Sequence, residues 1–299
     1  MPLVTVRQAV RILQEGGLVG MPTETVYGLA GLATNPESAR QIYHLKGRPT
    51  GHPLIVHLDH YERVAAPDSR ADLLVRAFWP GPLTLVLWRR WENGHPVIPD
   101  EVTGGQDTIA VRLPAHPLAR ALIRAVGPIA APSANRFGSV SPTTAAHVRE
   151  AFPTLPVVDG GPCEVGVEST IVDLSSEHPS ILRPGGVTAE ELERWLGPLG
   201  KASEVAVPGT LPSHYAPKTR VVLSTDPEGV AAELSGRGER PGLLRARPTT
   251  EYARILYAEL RRLDQSGYSV IVVEPAPDEG LGAAINDRLR RAAATTAAQ

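Results

Sequence analysis

Fourteen residues from His44 to His57 carry two permanent cations, Lys46 and Arg48, and three imidazoles, His44, His52 and His57. No acid lies between Glu37 and Asp59 to neutralise them. Gly47, Pro49, Gly51 and Pro53 make the first part a loop, and Leu54 to Val56 read as a buried strand. A loop that gathers positive charge at the mouth of a strand suits an anion. Two further stretches carry polar groups. Pro22-Thr23-Glu24-Thr25-Val26-Tyr27-Gly28-Leu29 is a hydroxyl-rich turn between apolar segments, a place where sites often sit. Pro132 to Pro142 holds Ser133, Asn135, Ser139 and Ser141 after a short apolar run. Small residues let a backbone approach a ligand, and hydroxyls and N–H groups there suit phosphate. Neither a GxxxxGK[ST] nor a GxGxxG motif occurs.

Each feature also has an ordinary explanation. Lys46 at a helix end complements the helix dipole, and a Ser/Pro loop is a common turn. Cys163, the single cysteine, is a small turn residue with no nearby His spacing that suggests a thiolate nucleophile.

The elements that must hold these groups are legible in outline. Thr5 caps a helix carrying Val6, Ala9, Val10 and Leu13, which Gly16-Gly17 ends. Leu18 to Met21 is a short strand. Asn35 caps and Pro36 opens a helix to Lys46. Ser69 to Trp79 and His116 to Val126 are helical, and Leu83 to Trp88 is a strand. In Asp107 to Leu113, alternation puts Thr108, Ala110 and Arg112 on one face and Ile109, Val111 and Leu113 on the other. An unpaired buried Arg is costly, so that face lines a polar cavity or is a solvated edge. Pro128 to Ala131, Glu168 to Leu174 and Pro179 to Arg183 are strands, and Thr188 with Glu191 forms a capping box. Gly197 to Pro217 lacks periodicity and reads as a linker. Strand and helix then alternate to Ala293, the mark of a small parallel α/β unit.

Composition narrows the function classes. A length of 299 residues suits two domains. Lys plus Arg number 30 against 32 Asp plus Glu, which argues against a broad nucleic-acid-coating surface. One cysteine rules out an internal disulfide and argues against a Cys-based metal site. No apolar run approaches a membrane span, and Arg7 and Arg11 interrupt any signal-peptide core, so a cytoplasmic protein without a membrane partner is expected.

Taken in order, the motifs are similar to those of the YrdC-like L-threonylcarbamoyladenylate synthases in their longer, two-domain form. They are Pro22 to Leu29, Lys46-Gly47-Arg48-Pro49 with Pro53-Leu54 and His57, and Thr108 to Arg112. Ala131 to Asn135 with Ser141-Pro142-Thr143 and Glu168 to Ile171 follow. Arg183-Pro184-Gly185, His214 to Lys218 and Gly280-Leu281-Gly282 complete the set. They span nearly the whole chain, and their specificity lies in the combination.

The resemblance implies a fold and a reaction. The fold is α/β, an open twisted mixed sheet around a large cationic cavity in residues 1–197. A linker, 198–218, crosses the cavity mouth, and a small Rossmann-like parallel α/β domain occupies 219–299. The reaction joins L-threonine, bicarbonate or CO2 and ATP into threonylcarbamoyl-AMP, with pyrophosphate released and magnesium carried by the ATP. The product feeds threonylcarbamoyladenosine modification of tRNA beside the anticodon. Handover to the tRNA threonylcarbamoyl transferase and weak RNA binding are further implied contacts.

Residue roles follow from the same resemblance. Lys46 and Arg48 hold ATP phosphates and the developing charge. His52, where relatives often have Asn, also lies near ATP, with Thr108, Ser133, Asn135, Ser141, Arg183 and Tyr215. Thr25, His57, Arg112, Ala131 and Ser169 hold L-threonine, Arg112 by a two-pronged pair with its carboxylate. The stretch Pro208 to Ser213 departs from the basic linker of the relatives. Two other readings stay open at this point: an RNA-binding or ribosome-associated module without chemistry, and a related carbamoyl-transfer enzyme with another acceptor.

Overall fold

A computed structural model describes residues 3–209 and 215–294. The linker stretch 210–214, with His214 and most of Pro208 to Ser213, lies outside the described residues.

The chain runs α1 (Val6–Gln14), β1 (Val19–Met21), β2 (Gly28–Leu32), α2 (Pro36–Lys46), β3 (Ile55–His57), α3 (Ser69–Phe78) and β4 (Leu83–Trp88). A small hairpin, β5 (Trp91–Glu92) and β6 (His95–Pro96), leads to α4 (Asp100–Thr103), β7 (Thr108–Arg112), α5 (Pro117–Val126) and β8 (Ile129–Ala130). Then come α6 (Ala145–Ala151), β9 (Thr170–Asp173), β10 (Ser180–Arg183) and α7 (Ala189–Leu196). The last part is β11 (Arg220–Leu223), α8 (Pro227–Gly236), β12 (Pro241–Leu244), α9 (Thr249–Gln265), β13 (Val270–Val273) and α10 (Leu281–Ala294).

Eight strands form one open mixed sheet in the order β1-β2-β8-β3-β7-β4-β9-β10. The pairs β3·β7 and β4·β9 are parallel, and the other pairs are antiparallel. The first unit is therefore mixed α/β, as the motifs imply. The second sheet has three parallel strands in the order β11-β13-β12.

Local chemistry explains the boundaries that matter for the cavity. Asn35 accepts the Glu37 N–H to cap α2, Pro36 fills its first turn, and Gly47 closes it in the left-handed region at φ 64°. This ends the helix at Lys46 and turns the chain into the loop that carries Arg48. Strand β7 sits centrally between β3 and β4. Its Ile109 and Val111 enter the main core. On its other face Ala110 packs with Ile55, Val86, Ile171 and Val207 of the linker. The linker thus covers the face on which alternation placed Arg112. Gln106 fixes it there by exchanging two hydrogen bonds of 3.1 Å with the Ala206 backbone.

Strand β2 departs from the sequence expectation, in which Gly28-Leu29 ends a turn. Four of its five residues are buried, and Gly, Leu and Ala lack a polar alternate to mark two faces. The β5–β6 hairpin and the single turn α4 also lie beyond the periodicity.

The two units share a packed boundary. One apolar cluster joins Leu256, Tyr257, Ile285 and Leu289 to Val26, Val140, Val167 and Tyr215. The turn after β10 comes very close to the cavity wall. A Cβ on Gly185 would lie 2.3 Å from the backbone atoms of Glu168, Ser169 and Thr170. Gly185→Ala forces that backbone aside. It is expected to destabilise the chain by about 1–3 kcal/mol, read as a lower midpoint in denaturant unfolding. An unchanged midpoint would mean that the turn relaxes freely.

Candidate active site

A cavity opens against the first sheet. Its wall brings together Thr25, Arg48, His57, Arg112, Ala131, Ser133, Ser169, Arg183 and Tyr215, nine of the residues singled out above. Different elements deliver them. Arg48 follows α2, His57 ends β3, Arg112 ends β7 and Arg183 ends β10. Pro208, Gly209 and Tyr215 bring the linker to the same space. Gly209 has φ +81°, and a Cβ there would lie 2.1 Å from the Tyr215 hydroxyl, so this tight linker turn requires glycine.

The cations here are buried and short of partners. Lys46 donates to the Ser133 and Asn135 carbonyls at 2.5 and 2.6 Å. Arg48 donates to the Pro53 carbonyl at 2.9 Å. Arg183 donates to the Ser169 carbonyl at 2.9 Å, to its hydroxyl at 3.1 Å and to the Pro208 carbonyl at 3.0 Å. These acceptors are neutral, and none of the three cations forms an ion pair with a carboxylate among the described residues. Burial and the neighbouring Arg48 push the Lys46 ammonium well below its ordinary range. Burial also lowers Arg48, to about 10, with Arg183 adding to the effect. Buried charges of one sign are tolerated when a counter-ion arrives. The arrangement is electrostatically short of an anion.

Arg112 is different, because it is paired. It donates to Glu24 at 2.5 Å, to the Thr25 hydroxyl at 2.9 Å and to the Gly81 carbonyl at 3.1 Å. Glu24 also accepts the Ala115 N–H at 3.0 Å. His57 lies opposite Arg112 in the β3·β7 register. Its Nδ1 is buried without a hydrogen-bond partner among the described residues. Burial, then the charge of Arg112, lowers its pKa to about 3. His57 is therefore a neutral ring in the cavity wall, with a spare polar atom. In an NMR titration its ring resonances are expected to stay fixed between about pH 5 and 8. A midpoint inside that range would take His57 out of the buried wall.

Five residues singled out by sequence lie off the lining itself. Lys46 stands behind Ser133, holding the carbonyls of the 133–135 turn. Asn135 donates to the Arg136 and Ser139 carbonyls and shapes the same loop. Ser141 donates to Glu168 at 2.7 Å. His52 is half-buried, 5.9 Å from the Phe137 ring. Thr108 pairs with Trp88 at the far end of β7, four residues from Arg112, about 13 Å along the strand. Cys163 stays outside this chemistry, since burial pushes its thiol up to about 12.

Comparison with known proteins settles the ancestry. The model of the Sua5, YciO and YrdC family, described as telomere recombination, matches residues 11–185. The chain belongs to this family. A second model, the threonylcarbamoyl-AMP synthase C-terminal domain, matches residues 187–294. The threonylcarbamoyl-AMP synthase of Pyrococcus abyssi is 39% identical, covering 96% of this chain and 93% of that one. The Bacillus subtilis threonylcarbamoyl-AMP synthase is 38% identical, covering 96% and 92%. The crystal structure of P. abyssi Sua5 complexed with L-threonine superposes with a TM-score of 0.90 at 38% identity, over 96% of this chain and 94% of that one.

Within this Sua5/YrdC chain two acids take part that sequence reasoning leaves without a role, although both sit in quoted motifs. Glu24 is the partner of Arg112. Glu168 lines the cavity. It accepts from Ser141 and Tyr257 at 2.7 Å each and from Arg288 Nε at 2.8 Å. The signal available is their place, each beside a hydroxyl residue, Thr25 or Ser169, assigned to L-threonine.

Proposed function

We propose that this chain makes threonylcarbamoyl-AMP from L-threonine, bicarbonate or CO2 and ATP, releasing pyrophosphate, for threonylcarbamoyladenosine modification of tRNA. The observation that carries the reading is the pair of buried wall cations that form no ion pair among the described residues, Arg48 and Arg183, beside Arg112 with its hydroxyl neighbours, with Lys46 buried behind Ser133. The names of the relatives and the threonine complex of the P. abyssi protein support it.

The chemistry suits such a wall. The threonine amine adds to CO2 and loses a proton, giving a carbamate. A carbamate oxygen attacks the α-phosphorus, a P–O bond forms, and the bond to the β-phosphate bridge breaks to release pyrophosphate. Nucleophile and electrophile are both anionic, so the main demand is charge cancellation and alignment. In this reading Arg48 and Arg183 answer the phosphates, and Lys46 adds its charge from behind Ser133. Ser133 and Tyr215 line the same nucleotide space, and His52, Thr108, Asn135 and Ser141 shape it. Arg112 takes the threonine carboxylate, and Thr25, His57, Ala131 and Ser169 surround the rest. The cavity is cationic in function, and the C-terminal unit is Rossmann-like in its parallel α/β pattern, with the domain limits read from the sequence.

ATP enters as its magnesium complex. The carboxylate in the wall, Glu168, is already engaged by Arg288, Tyr257 and Ser141. It is not a ready metal ligand, and the ion belongs to the triphosphate.

The direct test incubates the protein with ATP, magnesium, bicarbonate and labelled threonine, and follows pyrophosphate and labelled adenylate. Threonine-dependent release of both is expected. Pyrophosphate release indifferent to threonine, or none at all, would sink the reading. Among the described residues no helix is long and apolar enough to cross a membrane.

A further inference from the structure

The cavity wall contains a carboxylate where anionic substrates are to bind, and its neutralising partners come from the other end of the chain. Glu168 is 6% exposed and Arg288 1%. Arg288, on α10, donates Nε to Glu168 and Nη2 to the Pro184 carbonyl at 2.9 Å, beside Arg183. Tyr257, on α9, donates to the same Glu168 oxygen. The Tyr257 ring stacks on Tyr215 at 5.8 Å and 25°, and the Arg288 guanidinium lies 4.9 Å over the Tyr215 ring. Two residues of the C-terminal unit thus touch both a wall carboxylate and the linker tyrosine.

We propose that Arg288, assisted by Tyr257, is a positioning residue for the nucleotide site: it neutralises and orients Glu168 and seats Tyr215, so that the wall presents Arg183 and Arg48 to ATP rather than a bare carboxylate. This rests on the reading of the cavity as an ATP site. It gives the C-terminal unit a part in the chemistry that requires no motion.

The physical argument is one of charge. An uncompensated carboxylate in a low-dielectric wall repels a triphosphate strongly. The charged and titratable groups facing Glu168 are Arg288, with Asp287 behind it, from α10, Tyr257 from α9, Arg183 from β10 and Tyr215 from the linker. Ser141 adds a neutral donor. Burial alone would raise the Glu168 carboxyl. Arg288 first, then Arg183, hold it down to about 2. A plain interdomain staple would use the same ion pair but would leave nucleotide affinity indifferent to pH.

The test is MgATP binding by titration calorimetry, without threonine, on the full chain. Arg288→Met is expected to weaken MgATP by about tenfold or more at about pH 8. The loss should shrink as pH falls toward about 6, because the deprived, buried carboxyl then takes up a proton. Wild type should lack that pH dependence. Glu168→Gln in the Arg288→Met background removes the orphaned charge and should return affinity to within about threefold of wild type. Normal binding by Arg288→Met overturns the proposal. So does a loss that is constant with pH and not rescued by Glu168→Gln. If Arg288→Met does not fold, Arg288→Lys, which keeps the charge, and the double variant decide. Affinity near wild type in both supports the proposal, and weak binding in either overturns it. Because threonine is absent, failure of threonine-dependent turnover would count against the proposed function and not against this pairing.

Discussion

Replacing Arg48 with alanine is expected to lower threonine-dependent pyrophosphate release by roughly 10²-fold or more while leaving the chain folded. Arg48 lines the cavity, is buried, and has no carboxylate partner among the described residues. Its lowered pKa, caused mainly by burial, marks a charge held at a cost by the protein alone. On the proposed function that cost is recovered when triphosphate oxygens arrive, and most fully as charge spreads during transfer at the α-phosphorus. Arg48→Ala removes the charge, so the free protein should unfold at the same or a higher temperature than wild type. Saturating MgATP should then stabilise wild type far more than the variant. Arg48→Lys keeps the charge but loses the planar fork and should recover only part of the rate. Initial rates across ATP concentrations, with thermal unfolding of each variant, check all three. A kcat/KM for ATP within about threefold of wild type would remove Arg48 from the anion site.

How far the site is legible in the sequence depends on the range of the interactions. Helix α2 is legible to its ends, because Asn35, Pro36 and Gly47 act within a turn of the residues they stop or start. So is the split of β7 into an Ile109/Val111 face and an Ala110/Arg112 face, which needs only period two. The motif residues that line the cavity are legible as a set through resemblance, without any indication of how they meet. What escapes lies further apart. Glu24 reaches Arg112 across 88 residues, and Arg288 reaches Glu168 across 120. In the sequence α10 is a helix with basic residues, and nothing local separates fully buried Arg288 from exposed Arg290. The linker reads as structureless because it has no periodicity. Its Val205 and Val207 nevertheless pack on Ile55, Val86, Ala110 and Ile171 as the cover of the sheet face. An extended cover takes its pattern from the surface beneath it and leaves none in its own sequence.

Arg112→Ala is expected to have the second large effect, and to have it on two quantities that can be separated. Arg112 has five N–H donors. Three hydrogen bonds go to Gly81, Thr25 and Glu24, which leaves two N–H groups for a threonine carboxylate. On the proposed function, removing the side chain abolishes that recognition, so threonine-dependent turnover should fall at least roughly 10²-fold. It also leaves Glu24 buried without its cation, a situation that typically costs about 3–5 kcal/mol. Glu24→Gln in the Arg112→Ala background removes the stranded charge. It should restore most of the stability and none of the turnover, since a neutral amide offers the substrate carboxylate no compensating cation. Denaturant unfolding and single-turnover assays with labelled threonine read the two effects apart. If the double variant regains turnover together with stability, Arg112 acts only by holding Glu24 and the fold. If stability returns alone, Arg112 is the group that meets the substrate, and Glu24 is the neighbour that keeps its guanidinium aimed across the cavity.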